Sequence, residues 1–376
     1  MIYYICHYSC EEIEEEQRKV APAAQYKASY IIDALSSSQF SPVEVISPCI
    51  TELKKIVKGS KKIIKDNVVL KTFLSINSTY KIPRYLGYLI TNVIFIFYLF
   101  IKIKKNDKVI VYHSLSLMKI IRLLKRVRKC EIIIEVEEIY SDVTNNAKKR
   151  REEIAYFKVA DKYIFITDLL NNEINTSNKP FAISHGSYNS IEQHEDVLHD
   201  KNIHVVYAGT FDPRKGGVFA AIKATEFLST GYHIHILGFG NEENTNKVKQ
   251  AIEDVAKKTS AIISYEGHLQ GDDYTRFLQK CDIGLSTQDP HGAFNASSFP
   301  SKILSYMANG LRVVSVRIPA IETSDIGQYM YFYNNQTPEK IAEAIMSIDM
   351  KDNYDGRQII KELDDKFKED FKRILG

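Results

Sequence analysis

Ser297-Ser298-Phe299-Pro300-Ser301-Lys302-Ile303-Leu304-Ser305-Tyr306-Met307-Ala308-Asn309-Gly310, running into the apolar stretch 311–316, reads as a loop, a short helix and a buried strand. Pro300 suits a first helical turn, where its missing N–H costs nothing. Ser297 and Ser298 stand where a cap belongs, and Gly310 supplies a left-handed stop. Ile303, Leu304, Met307 and Ala308 recur on one helical face and would pack on a sheet, while Ser301 and Ser305 share another. Lys302, in the first turn, is the anomaly. A cation at the positive end of a helix dipole costs roughly 0.3–1 kcal/mol. An anion bound there would offset that cost, because free N–H groups, serine hydroxyls and the ammonium would meet on one phosphate. The plainer reading is a solvated lysine at an ordinary helix start.

The 376 residues that hold this stretch exceed one small core and suit two domains. A hydrophobic share of 44% and a charged share of 26% are those of a globular chain. The net charge of +3 argues for no particular partner. No sustained basic run interleaved with aromatics occurs, so nucleic-acid binding is not expected. Cys6, Cys10, Cys49, Cys130 and Cys281 are scattered without a Cys-x-x-Cys, and read as reduced thiols of a cytoplasmic protein. His233-x-His235 alternates along a strand but needs a third metal ligand that the sequence does not offer. No Asp-x-Asp pair is present, and no metal or cofactor is expected. The N-terminus lacks the basic leader and long apolar core of a signal peptide and reads as a first strand.

In the N-terminal half, apolar strand-like runs recur at 2–6, 43–47, 68–73, 108–112, 131–136, 163–167 and 181–184. Helix-like stretches lie between most of them, including one opened by Pro22. This alternation of short apolar strands with helices is the signature of a parallel sheet covered on both faces. The acidic run Glu11 to Glu16 reads as a solvated loop or helix face. The uncharged segment 85–101, flanked by Arg84 and by Lys102, Lys104 and Lys105, is marginal for a membrane span. It reads first as a buried crossover helix; a helix at a membrane surface and a true span are the other readings. His113 follows one strand, and Glu135, Glu137 and Glu138 end the next. Strand ends of this kind collect ligands, and a carboxylate there can hold an acceptor hydroxyl or act as a base. Glu138 with Asp142 would serve equally as a helix cap.

Polar residues from 184 to 202 break the pattern and read as a linker. A second alternating unit follows, with strands at 204–208, 232–237, 261–265, 282–286 and 311–316. Each strand's carboxyl end carries glycine, histidine or a polar loop. The first leads into Gly209-Thr210-Phe211-Asp212-Pro213-Arg214-Lys215-Gly216-Gly217, a glycine-flanked turn with two adjacent cations. Parallel strands gather all these ends on one edge. That edge would form one pocket, with cations from the first loop and from Lys302, and a flat slot beside Gly238 and Gly267. Such a pocket suits a nucleotide diphosphate, its base near His268 and its phosphates near Lys215 and Lys302. A charged helix closes the chain and is long enough to cross back to the first domain.

Tyr207-Ala208-Gly209, Lys215-Gly216, Leu237-Gly238-Phe239-Gly240, Tyr265-Glu266-Gly267, Cys281-Asp282-Ile283-Gly284-Leu285-Ser286 and Pro300-Ser301-Lys302 together resemble the GT-B glycosyltransferases of family four, once called group one. The resemblance is strong over 203–348 and weaker over 1–187. It implies an α/β fold of two Rossmann-like doubly wound parallel-sheet domains facing a cleft. The domains would be 1–187 for the acceptor and 203–352 for the nucleotide-sugar donor, with a linker at 188–202 and a terminal helix at 353–376. It also implies metal-independent transfer from a nucleotide sugar, most simply UDP-linked, to a saccharide or lipid-linked acceptor at the inner face of a membrane. By position, Gly209 marks the donor turn and Lys215 resembles the donor-phosphate lysine. Ser301 and Lys302 would meet the diphosphate, His268 and Leu269 the base, and Asn295, Ser298 and Phe299 the sugar. Three departures stand out. Thr210 replaces the family's usual arginine, with Arg214 as substitute; Ser297 and Ser305 replace two glutamates; and Ser9 to Glu16 replaces a glycine-rich loop. The Pro-Ser-Lys variant resembles galactofuranosyl- and similar cell-surface sugar transferases.

Overall fold

A strand that is apolar on both faces must be covered on both faces, and the crossover helices of a parallel sheet do this. The computed structural model of the protein describes residues 1–37, 42–143, 146–194, 200–212, 216–290 and 298–376. It has two units, Met1–Ser187 with Phe367–Gly376, and Tyr188–Lys366.

The first unit contains β1 (Ile2–Ile5), β2 (Val43–Ile46), β3 (Ile56–Val57), β4 (Lys61–Lys65), β5 (Val68–Lys71), β6 (Ser75–Ile76), β7 (Lys108–Tyr112), β8 (Glu131–Val136), β9 (Lys162–Phe165) and β10 (Phe181–Ile183). Eight of these form one sheet in the order β10-β9-β8-β7-β1-β2-β5-β4. All its pairings are parallel except β4 against β5. The short antiparallel pair β3–β6 stands apart. Strand order reverses at β1, so the crevice of this sheet opens between β1 and β7.

Two sequence expectations for this unit are corrected. The acidic run Glu11–Glu16 is a 3-10 helix with Ile13 and Glu16 buried, and it is not wholly solvated. The Glu16 carboxylate holds the buried Arg18 guanidinium at 2.6 Å, and Arg18 also donates to the carbonyls of Cys49 and Phe73. The helix Lys81–Lys102 is not a buried crossover: only the stripe Gly87, Thr91, Phe95 and Leu99 is buried.

The second unit contains β11 (Ile203–Thr210), β12 (Tyr232–Phe239), β13 (Ile262–Gly267), β14 (Ile283–Ser286), β15 (Arg312–Val316) and β16 (Met330–Tyr333). The last was not read from the sequence. The order is β13-β12-β11-β14-β15-β16, with every pairing parallel. The chain starts in the middle, builds outward one way, then returns to build the other way. Order reverses between β11 and β14, which is where open α/β sheets bind ligands.

The terminal helix Gly356–Leu375 contributes to both units. Its first turn places Arg357 over Gly310, donating to the Asn309 carbonyl at 2.7 Å. Its last turns belong to the first unit, with Phe367 5.4 Å from the Tyr30 ring and Lys162 donating to the Ile374 carbonyl at 2.6 Å. All five cysteines are free, and all but Cys10 are buried.

Candidate functional site

At the switch point of the second sheet, two sequence periodicities meet. Tyr207 and Gly209 are two apart on a strand and share a face. Lys302 and Tyr306 are four apart on the helix Lys302–Ala308 and share a side. Tyr306 lies fully buried over Gly284, where a Cβ would overlap its ring. Its hydroxyl accepts the Ala208 N–H at 2.8 Å, pinning the helix to β11. One turn earlier, the Lys302 ammonium stands 4.1 Å from the Tyr207 ring centroid. It also lies 3.2 Å from where a Cβ on Gly209 would be. Lys302 therefore leans across the crevice to the end of the central strand, and it is not a lysine trailing into solvent. A cation over an aromatic face is held there electrostatically.

The glycines around it leave backbone open for close approach. Gly238 has φ +143, and a Cβ there would overlap the Gly209 carbonyl. Gly216, with φ +63, opens the helix Gly217–Ala224. The Gly217 carbonyl accepts the Thr287 hydroxyl at 2.7 Å, and the Thr287 carbonyl accepts Gln336 Nε2 at 2.6 Å. At the rim, Thr210 and His268 are exposed, with the His268 ring 4.3 Å from Phe239. Leu269 is half-buried beside it. Ser305 is half-buried, its hydroxyl 3.5 Å from the Tyr274 hydroxyl. Phe299 is buried, Ser298 half-buried and Ser301 exposed. Arg214, Lys215, Asn295 and Ser297 lie outside the described residues.

The local reading of the helix start is corrected in one respect. Ser301 occupies the cap position with helical backbone angles and no side-chain capping bond. Pro300 therefore stands just outside the helix, one residue before the cap, its carbonyl accepting the Ile303 N–H at 3.0 Å. Gly310, at φ +91, does end it.

In the first unit, His113 sits at the carboxyl end of β7 and is 1% exposed. Its Nε2 meets Glu153 Oε1 at 2.6 Å. The other Glu153 oxygen accepts the Ser141 N–H at 2.9 Å, and Oε1 also accepts the Tyr140 N–H at 2.9 Å. Burial pushes the Glu153 carboxyl up, but hydrogen bonds from His113 and Ser141 outweigh it and hold the group below its usual range. Tyr140, Tyr156 and Phe157 enclose the imidazole. The structure thus gives His113 a buried carboxylate partner that sequence reading missed. Glu153 lies 40 residues away on the helix Ala147–Phe157, and no local pattern marks it.

Glu135, on β8, is fully buried and accepts the Tyr4 hydroxyl from β1 at 2.7 Å. Its other oxygen has no partner among the described residues. Burial, then the neighbouring Glu137 charge, push its carboxyl well above the carboxylate range. Burial raises Glu137 too, against the pull of Lys27, whose ammonium lies 3.6 Å away and also donates to the Ser184 carbonyl at 2.8 Å. Glu138 is half-buried in the loop beyond. Asp142 does not cap a helix; it accepts from Arg150 Nε at 2.7 Å.

The third histidine that His233-x-His235 lacked in the sequence is present in space. His204, on neighbouring β11, has Nδ1 2.9 Å from His235 Nε2, and one nitrogen of each of the three lies within 4.8 Å of the others. Three imidazoles are a donor set that zinc accepts. Each is also held by an oxygen: His204 by Asp200, His235 by Glu266 and His233 by Ser264. The cluster sits at the start of β11, roughly 16 Å along the strand from Gly209.

The strand order and the crossing helices define a GT-B glycosyltransferase fold. The chain superposes over 100% of its length on sucrose-phosphate synthase from Thermosynechococcus elongatus, with TM-score 0.70, 13% identity and 98% of that chain covered. It superposes equally fully on a trehalose-6-phosphate structure from E. coli bound with UDP-2-fluoro glucose, with TM-score 0.68, 11% identity and 99% covered. For the trehalose 6-phosphate synthase of Burkholderia multivorans the figures are 0.67, 11% and 96%. Residues 202–348, within the second unit, match the family model described as Glycosyl transferases group 1. No curated protein matches the chain significantly.

Proposed function

We propose that the protein transfers a sugar from a nucleotide-diphosphate donor, UDP-linked, to a saccharide or lipid-linked acceptor in the assembly of a cell-surface polysaccharide. The observation that carries this reading is the Lys302 ammonium, held by Tyr207 beside Gly209 at the switch point of the donor-type sheet. When the bond between the anomeric carbon and the diphosphate breaks, negative charge grows on the leaving phosphate. A preorganised cation at that point stabilises it. Arg214 and Lys215 supply further positive charge in this reading. The chemistry needs no metal, because Lys302 and its neighbours take the role of the counter-charge. Glu137, Glu138 or the His113–Glu153 pair orients the acceptor hydroxyl, and transfer occurs on the cytoplasmic side of a membrane. UDP release from a panel of UDP-hexoses and UDP-galactofuranose, with and without saccharide acceptors, tests this. Release above the Lys302→Met background is expected for one donor, and no release from any donor sinks the reading.

A second reading keeps the fold and drops the turnover, making the chain a partner subunit. The observation favouring it is Ser305, which stands where the family carries a ribose-gripping glutamate and engages Tyr274 instead. Calorimetry separates the two: UDP binding supports the transferase, and no heat at millimolar UDP supports the partner. A nucleotide-sugar epimerase on this fold would convert its donor without net UDP release.

A further inference from the structure

The helix Lys81–Lys102 is fastened along one stripe and open along the rest. Gly87 presses against β6, where a Cβ would overlap the Ile76 carbonyl. Four residues on, the Thr91 hydroxyl donates to the Leu74 carbonyl at 2.8 Å. Phe95 then meets Phe73 edge-on at 5.5 Å. On the opposite side Ile82, Tyr85, Phe97 and Ile101 are each more than 60% exposed, and Leu86, Leu89, Ile90 and Val93 extend the same apolar surface. Large continuous apolar surfaces on soluble units mark interaction sites.

Charge identifies the occupant. Between Lys54 and Lys105 the chain has twelve lysines or arginines and one acid, Asp66. This stretch therefore carries +11 in a protein whose net charge is +3. Eleven of the twelve cations are exposed. They lie in the loops on either side of β3, on β4 and at or just beyond both ends of the helix. Ile56 and Ile63 are exposed among them. Among the described residues only Lys61 and Lys65 meet a carboxylate, Glu44 and Asp33. Lysine is depleted at protein–protein interfaces, so a basic rim around an apolar face does not suit a protein partner. It suits anionic phospholipid, whose headgroups attract lysines while the acyl boundary takes the apolar side chains. The packed stripe favours the surface over a span, since to cross a bilayer the helix would have to leave the domain that Gly87, Thr91, Phe95 and Leu99 pack against.

We propose that the protein docks on an anionic bilayer with the helix Lys81–Lys102 lying in the membrane plane, its exposed apolar face among the acyl chains and the lysines of 54–65 and 102–105 on the headgroups. This goes beyond the transferase reading and does not depend on it, because it is tested without sugar. Full-length protein is sedimented with vesicles of phosphatidylcholine alone, or with about one third phosphatidylglycerol. At least about tenfold more protein is expected to pellet with the anionic vesicles, and added salt weakens the binding. The triple variant Leu86→Ser, Ile90→Ser, Phe97→Ser should lose pelleting while its melting temperature stays unchanged or rises. Lys58→Glu with Lys62→Glu should abolish the preference for phosphatidylglycerol. No pelleting of wild type, or pelleting that the triple variant retains, overturns the proposal. A wild-type dimer in gel filtration that the triple variant dissolves, with no vesicle binding, overturns it in favour of a second copy on this face.

Discussion

The Lys302 ammonium stands over the Tyr207 ring, 4.1 Å from its centroid, and so reaches from the helix after β14 to the end of β11. Replacing it with methionine keeps the stem and removes the charge. Lys302→Met should lower kcat/KM by about 10²–10³-fold, the usual cost of removing one preorganised charge-stabilising group. Its melting temperature should stay within about 2 °C of wild type, because the side chain is not in the core. Steady-state UDP release and a thermal melt check both.

Gly238 bears on the same place through the backbone. At φ +143, with the Gly209 carbonyl where a Cβ would go, it cannot become alanine without parting β11 from β12. Gly238→Ala should cost about 3 kcal/mol, a drop of roughly 10 °C in the melt of the second unit, with UDP binding lost alongside.

Tyr306→Phe deletes one oxygen. The Ala208 N–H loses its partner in a buried place, at a cost of about 1–3 kcal/mol. The ring still covers Gly284, so the fold persists. Urea unfolding should show the loss, and the KM for donor should rise as the helix bearing Lys302 loosens.

In the first unit, Glu153→Ala leaves the His113 nitrogen and two backbone N–H groups without their acceptor. Breaking a buried pair from one side typically costs about 3–5 kcal/mol. Glu153→Gln, which keeps an acceptor oxygen, should recover part of it in the same urea titration.

The raised Glu135 carboxyl makes stability depend on pH. Its folded value is pushed up to about 8, by burial first, so between the ordinary carboxylate range and that point the folded chain holds a proton that the unfolded chain has lost. Stability from this group is complete at low pH and is lost as pH rises through that window. Glu135→Gln removes the dependence. The variant should melt higher than wild type at pH 8 and no higher at pH 5.

Much of the second unit was readable because it is written in local patterns. Glycines end its strands, Lys302 stands in a first turn, and the strands alternate with helices. Tyr207 was readable too, since it shares a strand face with Gly209, but its role waited on knowing that Lys302 crosses to it. The first unit was less legible. His113 is local, whereas Glu153 and Tyr4 arrive from 40 residues downstream and, for the Glu135 contact, 131 residues upstream. The reading of Lys81–Lys102 as a buried crossover failed for a related reason. Composition reports how apolar a helix is, and only packing reports how much of it is covered.

The alternation, the parallel sheets and the candidate cation at a helix start are legible along the chain, because they follow from periodicity two, periodicity 3.6 and the backbone freedom of glycine. What each charged group faces was settled by long-range packing. It placed Lys302 on Tyr207, gave Glu153 to His113, brought His204 to His233 and His235, and left one face of an apolar helix open. Partners across a sheet are set by strand order, and strand order is a property of the whole chain.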